Sequence, residues 1–278
     1  MPATAESRRT FSASLPLDSL VVEVEDCEAL DANELDAITA VFNTWGLVVI
    51  QHPEPDGDPA DQVVALGLHL GSTYDHNRAD ERGIVRMAPL QTSGAYLGAT
   101  NRVHPLHTDG AYDATPPPLL ALQCVVAAST GGESVAVSSQ GLVDHIAAVD
   151  PDAYRALAQP AAMTVERADQ RDTKPVVGDV DGTPLVVWRD DHTSTYAEDA
   201  DTVRAVALVR EYLSDPANVL RFLLQPNQIM LLDNWAILHG RTAFEEGDER
   251  LLHRINYLAD SGFARDRLVL GVERPASA

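Results

Sequence analysis

Lysine is almost missing from this chain: Lys174 is the only one among 20 basic residues, set against 42 aspartates and glutamates in 278 residues. The formal charge of -22 repels phosphate backbones and anionic headgroups, which argues against nucleic acid or a membrane surface as a partner. Cysteine is nearly as scarce. Cys27 and Cys124 are far apart and lack CxxC spacing, so neither a disulfide framework nor a structural zinc knuckle is supported, and both are expected as reduced thiols. No apolar run reaches the roughly 18 residues needed to span a bilayer. The opening MPATAESRRTFSASLPLDSL holds no signal-peptide core, so a cytoplasmic location is expected. There is no GxGxxG and no GxxxxGK[ST], which leaves a nucleotide-binding α/β fold without its phosphate loop. What the chain does have is apolar material, 45% of its residues, ample for a sizeable core. The acidic, arginine-dominated, alanine- and valine-rich remainder fits genome base composition and salt adaptation equally well.

No repeat or long Gly/Ser/Pro linker divides the sequence, so a single domain over residues 15–278 is expected after a loose tail ending near Ser14. Asp31 and Glu34 have capping-box spacing, and Leu35, Ile38, Phe42 and Trp45 recur at helical intervals until Gly46. Leu47 to Gln51 reads as a buried strand, and Asp61 to Leu70 as a short helix. Leu119 to Ala127 has the length and branching of a central strand, followed by a Gly131-Gly132 turn into Val135 and Val137. Helical patterns cover 141–149, 153–157 and 202–213. Asp181-Gly182, between Val176-Val177 and Leu185 to Trp188, signals a hairpin. Leu220 to Leu224, Ile229 to Leu232 and Leu251 to Leu258 read as further strands. Short strands with helices concentrated early and in one insertion predict a mainly β protein with flanking helices, a sandwich or jelly roll rather than βαβ units.

His107-Thr108-Asp109 sends an imidazole and a carboxylate to one side of an extended segment, where both can reach one metal. The pair alone carries little, because with nine histidines and 42 acids roughly one HxD or HxE is expected by chance. His52-Pro53-Glu54 is such a pair and reads as a polar loop after a strand. His239, directly after the apolar run Ile229 to Leu232 in DNWAILHGRTAF, offers a third ligand. Two histidines and a carboxylate on one face of an iron site leave positions for a bidentate cosubstrate and dioxygen. Arg250 and Arg254 follow in RLLHR. If extended, they share a face, and a guanidinium aimed into a barrel calls for an anion of matching bidentate geometry.

From about Trp45 to Leu258 the chain resembles the iron(II)- and 2-oxoglutarate-dependent dioxygenases of the taurine dioxygenase and clavaminate synthase-like superfamily. The sharpest blocks are PLHTDGAYDATPPPLLALQC, GGES and LLDNWAILHGRTAFEEGDERLLHR. The resemblance implies a double-stranded β-helix with helices outside it, with His107, Asp109 and His239 as iron ligands. It implies Arg250 as the clamp on the distal carboxylate of 2-oxoglutarate, with Ser134 the hydroxyl beside it. The implied chemistry consumes dioxygen, converts 2-oxoglutarate to succinate and carbon dioxide, and oxidises a bound small molecule. Hydroxylation of an anionic metabolite or amino acid is the leading expectation; desaturation, cyclisation or another rearrangement diverges only after the same hydrogen abstraction. Halogenation is disfavoured, since halogenases of the family replace the ligand carboxylate and Asp109 is intact. A non-catalytic metal-containing jelly roll and a zinc hydrolase are the alternatives from other classes, and zinc hydrolysis explains neither Arg250 nor Ser134. Arg254 is expected either to grip a substrate anion, or to help bind 2-oxoglutarate or pair with a buried protein carboxylate. Asp190 and Asp191 are read as solvated loop acids or as contacts to a substrate amine. Arg241 is divided between pairing with Asp233 and the active-site rim, Trp235 is expected to pack, and His104 to lie in a loop or behind the ligands.

Overall fold

The computed structural model describes residues 10–89, 96–167 and 170–275. Two sheets carry the architecture. The larger has six strands in the order Val21–Glu23, Leu47–Gln51, Gln228–Asp233, Leu119–Val126, Leu251–Tyr257 and Val85–Met87. All its pairings are antiparallel except the first. The smaller has four, Leu220–Phe222, Ser134–Ser138, Ile237–Arg241 and His104–His107, all antiparallel.

Side-chain alternation explains how the sheets stack. Along Gln228–Asp233, Ile229 and Leu231 face one apolar cluster while Met230 and Leu232 face another. The first cluster lies under the helices Ala32–Trp45 and Ala60–Ala65. The second lies between the sheets, because it joins Leu120, Met230 and Leu252 of the large sheet to Ala136, Phe222 and Ile237 of the small one. A third cluster packs the outer face of the small sheet, through Val135, Val137 and Leu238, against the helices Ser139–Val149, Pro151–Leu157 and Ala200–Ser214. Polar residues at inward positions therefore meet in a space between the sheets.

The capping box at Asp31 and Glu34 is formed, and Gly46 ends that helix with φ 73°. Asp181 and Gly182 both have positive φ, as a two-residue I′ hairpin between Val177–Val180 and Thr183–Val186 requires. The single helix expected over 61–70 is two, Ala60–Ala65 and Gly67–Leu70. The strands His104–His107, Ile237–Arg241 and the polar hairpin Met163–Arg167 with Gln170–Lys174 escaped the sequence reading. The tail expected to Ser14 falls partly outside the described residues. Within them it ends earlier, since Phe11 is buried in the inter-sheet cluster and Ala13 N–H bonds the Ala217 carbonyl. Cys27 and Cys124 are buried free thiols, and burial pushes them up to about 12 and about 11. No helix among the described residues is long and apolar enough to cross a membrane.

Candidate metal centre and its two cavities

His107 ends one strand of the small sheet and pairs in register with His239 on its neighbour. The two rings lie 4.5 Å apart, centroid to centroid. Two residues after His107, Asp109 sits just before Gly110, whose φ of 69° and close approach to Pro117 turn the chain back. Asp109 Oδ1 lies 3.1 Å from His107 Nε2 and 3.8 Å from His239 Nε2. All three side chains are at least nine-tenths buried, and their ligand atoms fall within 4.8 Å of one another. They form the one such group of three among the described residues. The Pro105 carbonyl 2.9 Å from His107 Nδ1 takes that nitrogen's proton, leaving the Nε2 lone pair for a metal. Two imidazole nitrogens and one carboxylate oxygen suit ferrous iron with open positions.

The other Asp109 oxygen is occupied. Arg254 Nη1 donates to Oδ2 at 2.8 Å and Asn256 Nδ2 approaches it at 3.4 Å. Burial works against the Asp109 charge, but Arg254, ahead of the neighbouring His107 and His239, holds its carboxyl well below the usual range. The same pairing keeps Arg254 charged against its own burial. Of the two arginines expected to meet external anions, Arg254 is thus committed to a protein carboxylate. Burial, followed by His107, lowers His239 to about 3.

Arg250 is different. It is 6% exposed, burial pulls its guanidinium down to about 10, and no carboxylate among the described residues pairs with it. With Ser134, Arg241 and Arg254 it lines a small cavity of about 30 Å³ that reaches His107, Asp109 and His239. Gly132 makes room, since a Cβ there would lie 3.3 Å from Arg250 Nε. A larger cavity of about 260 Å³ opens on the other side of Asp109, walled by Tyr74, Tyr96 and Tyr112 and reaching Arg167, Arg189 and His192. Arg189 is matched by Asp191 at 2.7 Å. Arg167 has no carboxylate partner among the described residues; its guanidinium lies 5.1 Å from the Tyr112 ring centre. Burial, then Arg254, with Arg167 and Arg78 adding and Asp109 opposing, lowers His76 in this cavity to about 4.

Asp190 and Asp191 line neither cavity. Asp190 is held bidentately by Arg210 at 2.8 and 2.9 Å, and Asp191 by Arg189 and Thr193, which corrects their reading as substrate contacts. Arg241 donates to the carbonyls of Thr100 and Arg102 rather than to Asp233. His104 stacks on His107 at 4.1 Å and borders both cavities. Trp235 packs and donates to Pro116 O. His52 is buried away from the centre, bonded to the Pro53 carbonyl. The sequence reading missed Asn234, which stands in the quoted DNW block and whose side chain bonds Asp109 on both sides, and Arg167, which lies in a polar hairpin without a motif.

The model of the taurine catabolism dioxygenase TauD, TfdA family matches residues 5–256. The chain belongs to this family. Uridine-5'-phosphate dioxygenase of Amycolatopsis sp is 30% identical over 146 residues, 49% of this chain and 53% of that protein. Trimethyllysine dioxygenase of Meyerozyma guilliermondii is 29% identical over 152 residues, 50% of this chain and 38% of that protein. The chain thus matches about half or less of the length of these curated relatives. Asparagine oxygenase, solved with Fe(II), hydroxyasparagine and succinate, superposes with TM-score 0.64 at 15% identity, covering 91% of this chain and 100% of that one. The non-heme iron oxygenase OrfP, solved with Fe and alpha-ketoglutaric acid, gives 0.64 at 16% identity over 86% of each chain. The TauD/TfdA chain described here has the double-stranded β-helix fold of these oxygenases.

Proposed function

We propose that this protein is an iron(II)- and 2-oxoglutarate-dependent oxygenase that hydroxylates a small anionic metabolite or amino acid, with release of succinate and carbon dioxide. The observation that carries this reading is Arg250: a buried guanidinium without a carboxylate counter-ion among the described residues, in a cavity continuous with a two-histidine, one-carboxylate ligand set. An uncompensated buried cation is costly unless a ligand supplies the anion. A dicarboxylate bound at one end by Arg250 and Ser134 and at the other near the three ligands satisfies both features. His107, Asp109 and His239 would hold iron, which when bound would supply the dioxygen activation that couples oxidative decarboxylation of 2-oxoglutarate to oxidation of a substrate C–H bond.

The remaining work belongs to the protein. Asp109, kept ionised by Arg254, contributes one of the charges that offset a divalent cation. Burial keeps water from the ligand set, and the tyrosine-walled cavity holds the substrate over it. Arg167 supports an anionic substrate, because it is the cavity arginine without a carboxylate partner among the described residues, while Arg189 and Arg254 are neutralised.

Anaerobic protein given ferrous iron and 2-oxoglutarate is expected to develop a weak visible charge-transfer absorption, and Asp109→Ala is expected to lose it together with succinate formation. No absorption in the wild type, or full turnover in Asp109→Ala, would refute the reading. Among anionic metabolites and amino acids screened for stimulated succinate release, active compounds are expected to lose their effect in Arg167→Met while unstimulated decarboxylation persists.

A further inference from the structure

The three ligand side chains come from two segments more than a hundred residues apart in sequence, His107 with Asp109 and His239 alone. His239 is fixed by strand pairing on both sides, to His107 and to Ala136. Asp109 lies outside any strand, between the end of His104–His107 and the left-handed Gly110. Its backbone therefore needs partners from elsewhere.

Asn234 supplies them. It is fully buried in the short connection that leaves the large sheet at Asp233 and enters the small sheet at Ile237, five residues before His239. Its Oδ1 accepts the Asp109 N–H at 2.9 Å, and its Nδ2 donates to the Asp109 carbonyl at 2.9 Å and to Pro117 O at 2.7 Å. Two antiparallel bonds between a side-chain amide and one residue's N–H and C=O define orientation as well as distance, which a single bond does not.

The partner segment suits this arrangement. Pro116, Pro117 and Pro118 have no N–H to offer but present three carbonyls, and all three are taken by this connection. Trp235 Nε1 donates to Pro116 O at 2.8 Å, Asn234 Nδ2 to Pro117 O, and Asn234 N to Pro118 O at 2.8 Å. On its other side the loop is stitched down by Thr108, whose N–H donates to Trp188 O and whose Oγ1 accepts the Trp188 N–H and donates to Val186 O.

We infer that Asn234 is a positioning residue for the metal centre, setting Asp109 relative to His239 before any metal binds. With the Asp109 backbone held, only its side-chain torsions remain free, and Arg254 restricts those. Substitution by aspartate places a second oxygen against the carbonyls of Asp109 and Pro117, so the isosteric change is the sharper one. The inference rests on reading His107, Asp109 and His239 as metal ligands.

Titration of metal-free protein with cobalt(II) alone, followed by its visible d–d bands, tests it. Asn234→Asp and Asn234→Ala are expected to weaken cobalt binding by about tenfold to a hundredfold, the usual consequence of losing a group that orients a ligand, and to change the band shape. Trp235→Phe deletes a hydrogen bond from the same connection without touching Asp109. It is expected to lower the melting temperature while leaving cobalt affinity unchanged. Wild-type affinity in both Asn234 variants, or an equal loss in Trp235→Phe, would overturn the inference. If the Asn234 variants do not fold, hydrogen exchange of the wild type decides. The Asp109 amide is expected to be protected without metal, and free exchange there would defeat the preorganisation. Absence of cobalt binding by the wild type would instead defeat the metal reading and this inference with it.

Discussion

Arg250 and Arg254 are four residues apart and equally buried, yet their environments call for opposite experiments. Arg254 is half of a buried ion pair with Asp109. Removing one member of such a pair strands the other, typically at about 3–5 kcal/mol. Arg254→Leu is therefore expected to lower the melting temperature of the metal-free protein, and added cobalt(II) to restore more of it than in the wild type, because the cation replaces the missing charge. An unchanged melting temperature would show that the pair carries no weight. Arg250 has no carboxylate partner among the described residues to strand, so Arg250→Leu is expected to fold as well as the wild type. Its 2-oxoglutarate requirement should rise by roughly thirtyfold to several thousandfold, since losing one partner of a desolvated charge pair costs about 2–5 kcal/mol. Equal dependence on 2-oxoglutarate would remove Arg250 from the cosubstrate site. At this scale the cluster of His107, Asp109 and His239 was legible because metal-binding chemistry restricts residue type and spacing. Asn234 was not, because its role depends on a contact 125 residues away. The arginines at 189 and 210 that reach Asp191 and Asp190 in the fold are pairings that no local spacing announces.

At the scale of elements, the Gly131-Gly132 turn was read as a simple reversal, and the structure gives its two glycines different tasks. Both have φ near 70°, which side chains rarely adopt. A Cβ on Gly131 would lie 2.2 Å from the Ala243 carbonyl, whereas one on Gly132 would meet Ala128 and, at 3.3 Å, Arg250 Nε. Gly131→Ala is expected to lose stability by disturbing the backbone between two segments. Gly132→Ala carries the same conformational strain but also displaces Arg250, so it alone should raise the 2-oxoglutarate requirement relative to its loss of melting temperature. Identical ratios in the two variants would contradict this division. Elements defined by apolar periodicity and caps, such as Ala32–Trp45 and Leu119–Val126, were legible. The strands Ile237–Arg241 and His104–His107 were not, because inward positions that would announce them by hydrophobicity are given to ligand histidines and arginines. In Met163–Arg167 only Met163 and Val165 alternate into the core, its partner Gln170–Lys174 is polar throughout, and Glu166 and Arg167 line the larger cavity, so the pair carries too little apolar signal to announce itself.

For the molecule as a whole, the charge of -22 and the buried histidines act on stability in opposite directions as pH falls. Protonating surface acids relieves self-repulsion, an effect that high salt suppresses by shortening the screening length to about 3 Å at 1 M. What remains is carried by groups whose titration differs between the folded and unfolded chain. On the outer face of the large sheet, His253 Nδ1 lies 3.2 Å from Gln123 Oε1, Gln123 Nε2 faces His52 Nε2 at 3.5 Å, and His52 Nδ1 bonds the Pro53 carbonyl. These bonds require an unprotonated His52 Nε2, since a proton there would confront the Gln123 amide donors, whereas His253 donates from Nδ1 in either protonation state. Burial, the largest influence on each, lowers both histidines from their ordinary value near 6.5. A lowered folded value means that the unfolded chain binds protons first. Stability from this cluster is therefore complete above about pH 6.5 and is lost as pH falls below it, by up to about 1.4 kcal/mol per histidine per pH unit. In 1 M salt the melting temperature is expected to decline between pH 7 and 5, and His52→Gln is expected to flatten part of that decline. A flat wild-type profile over this range would mean that the His52, Gln123 and His253 chain accepts a proton without cost.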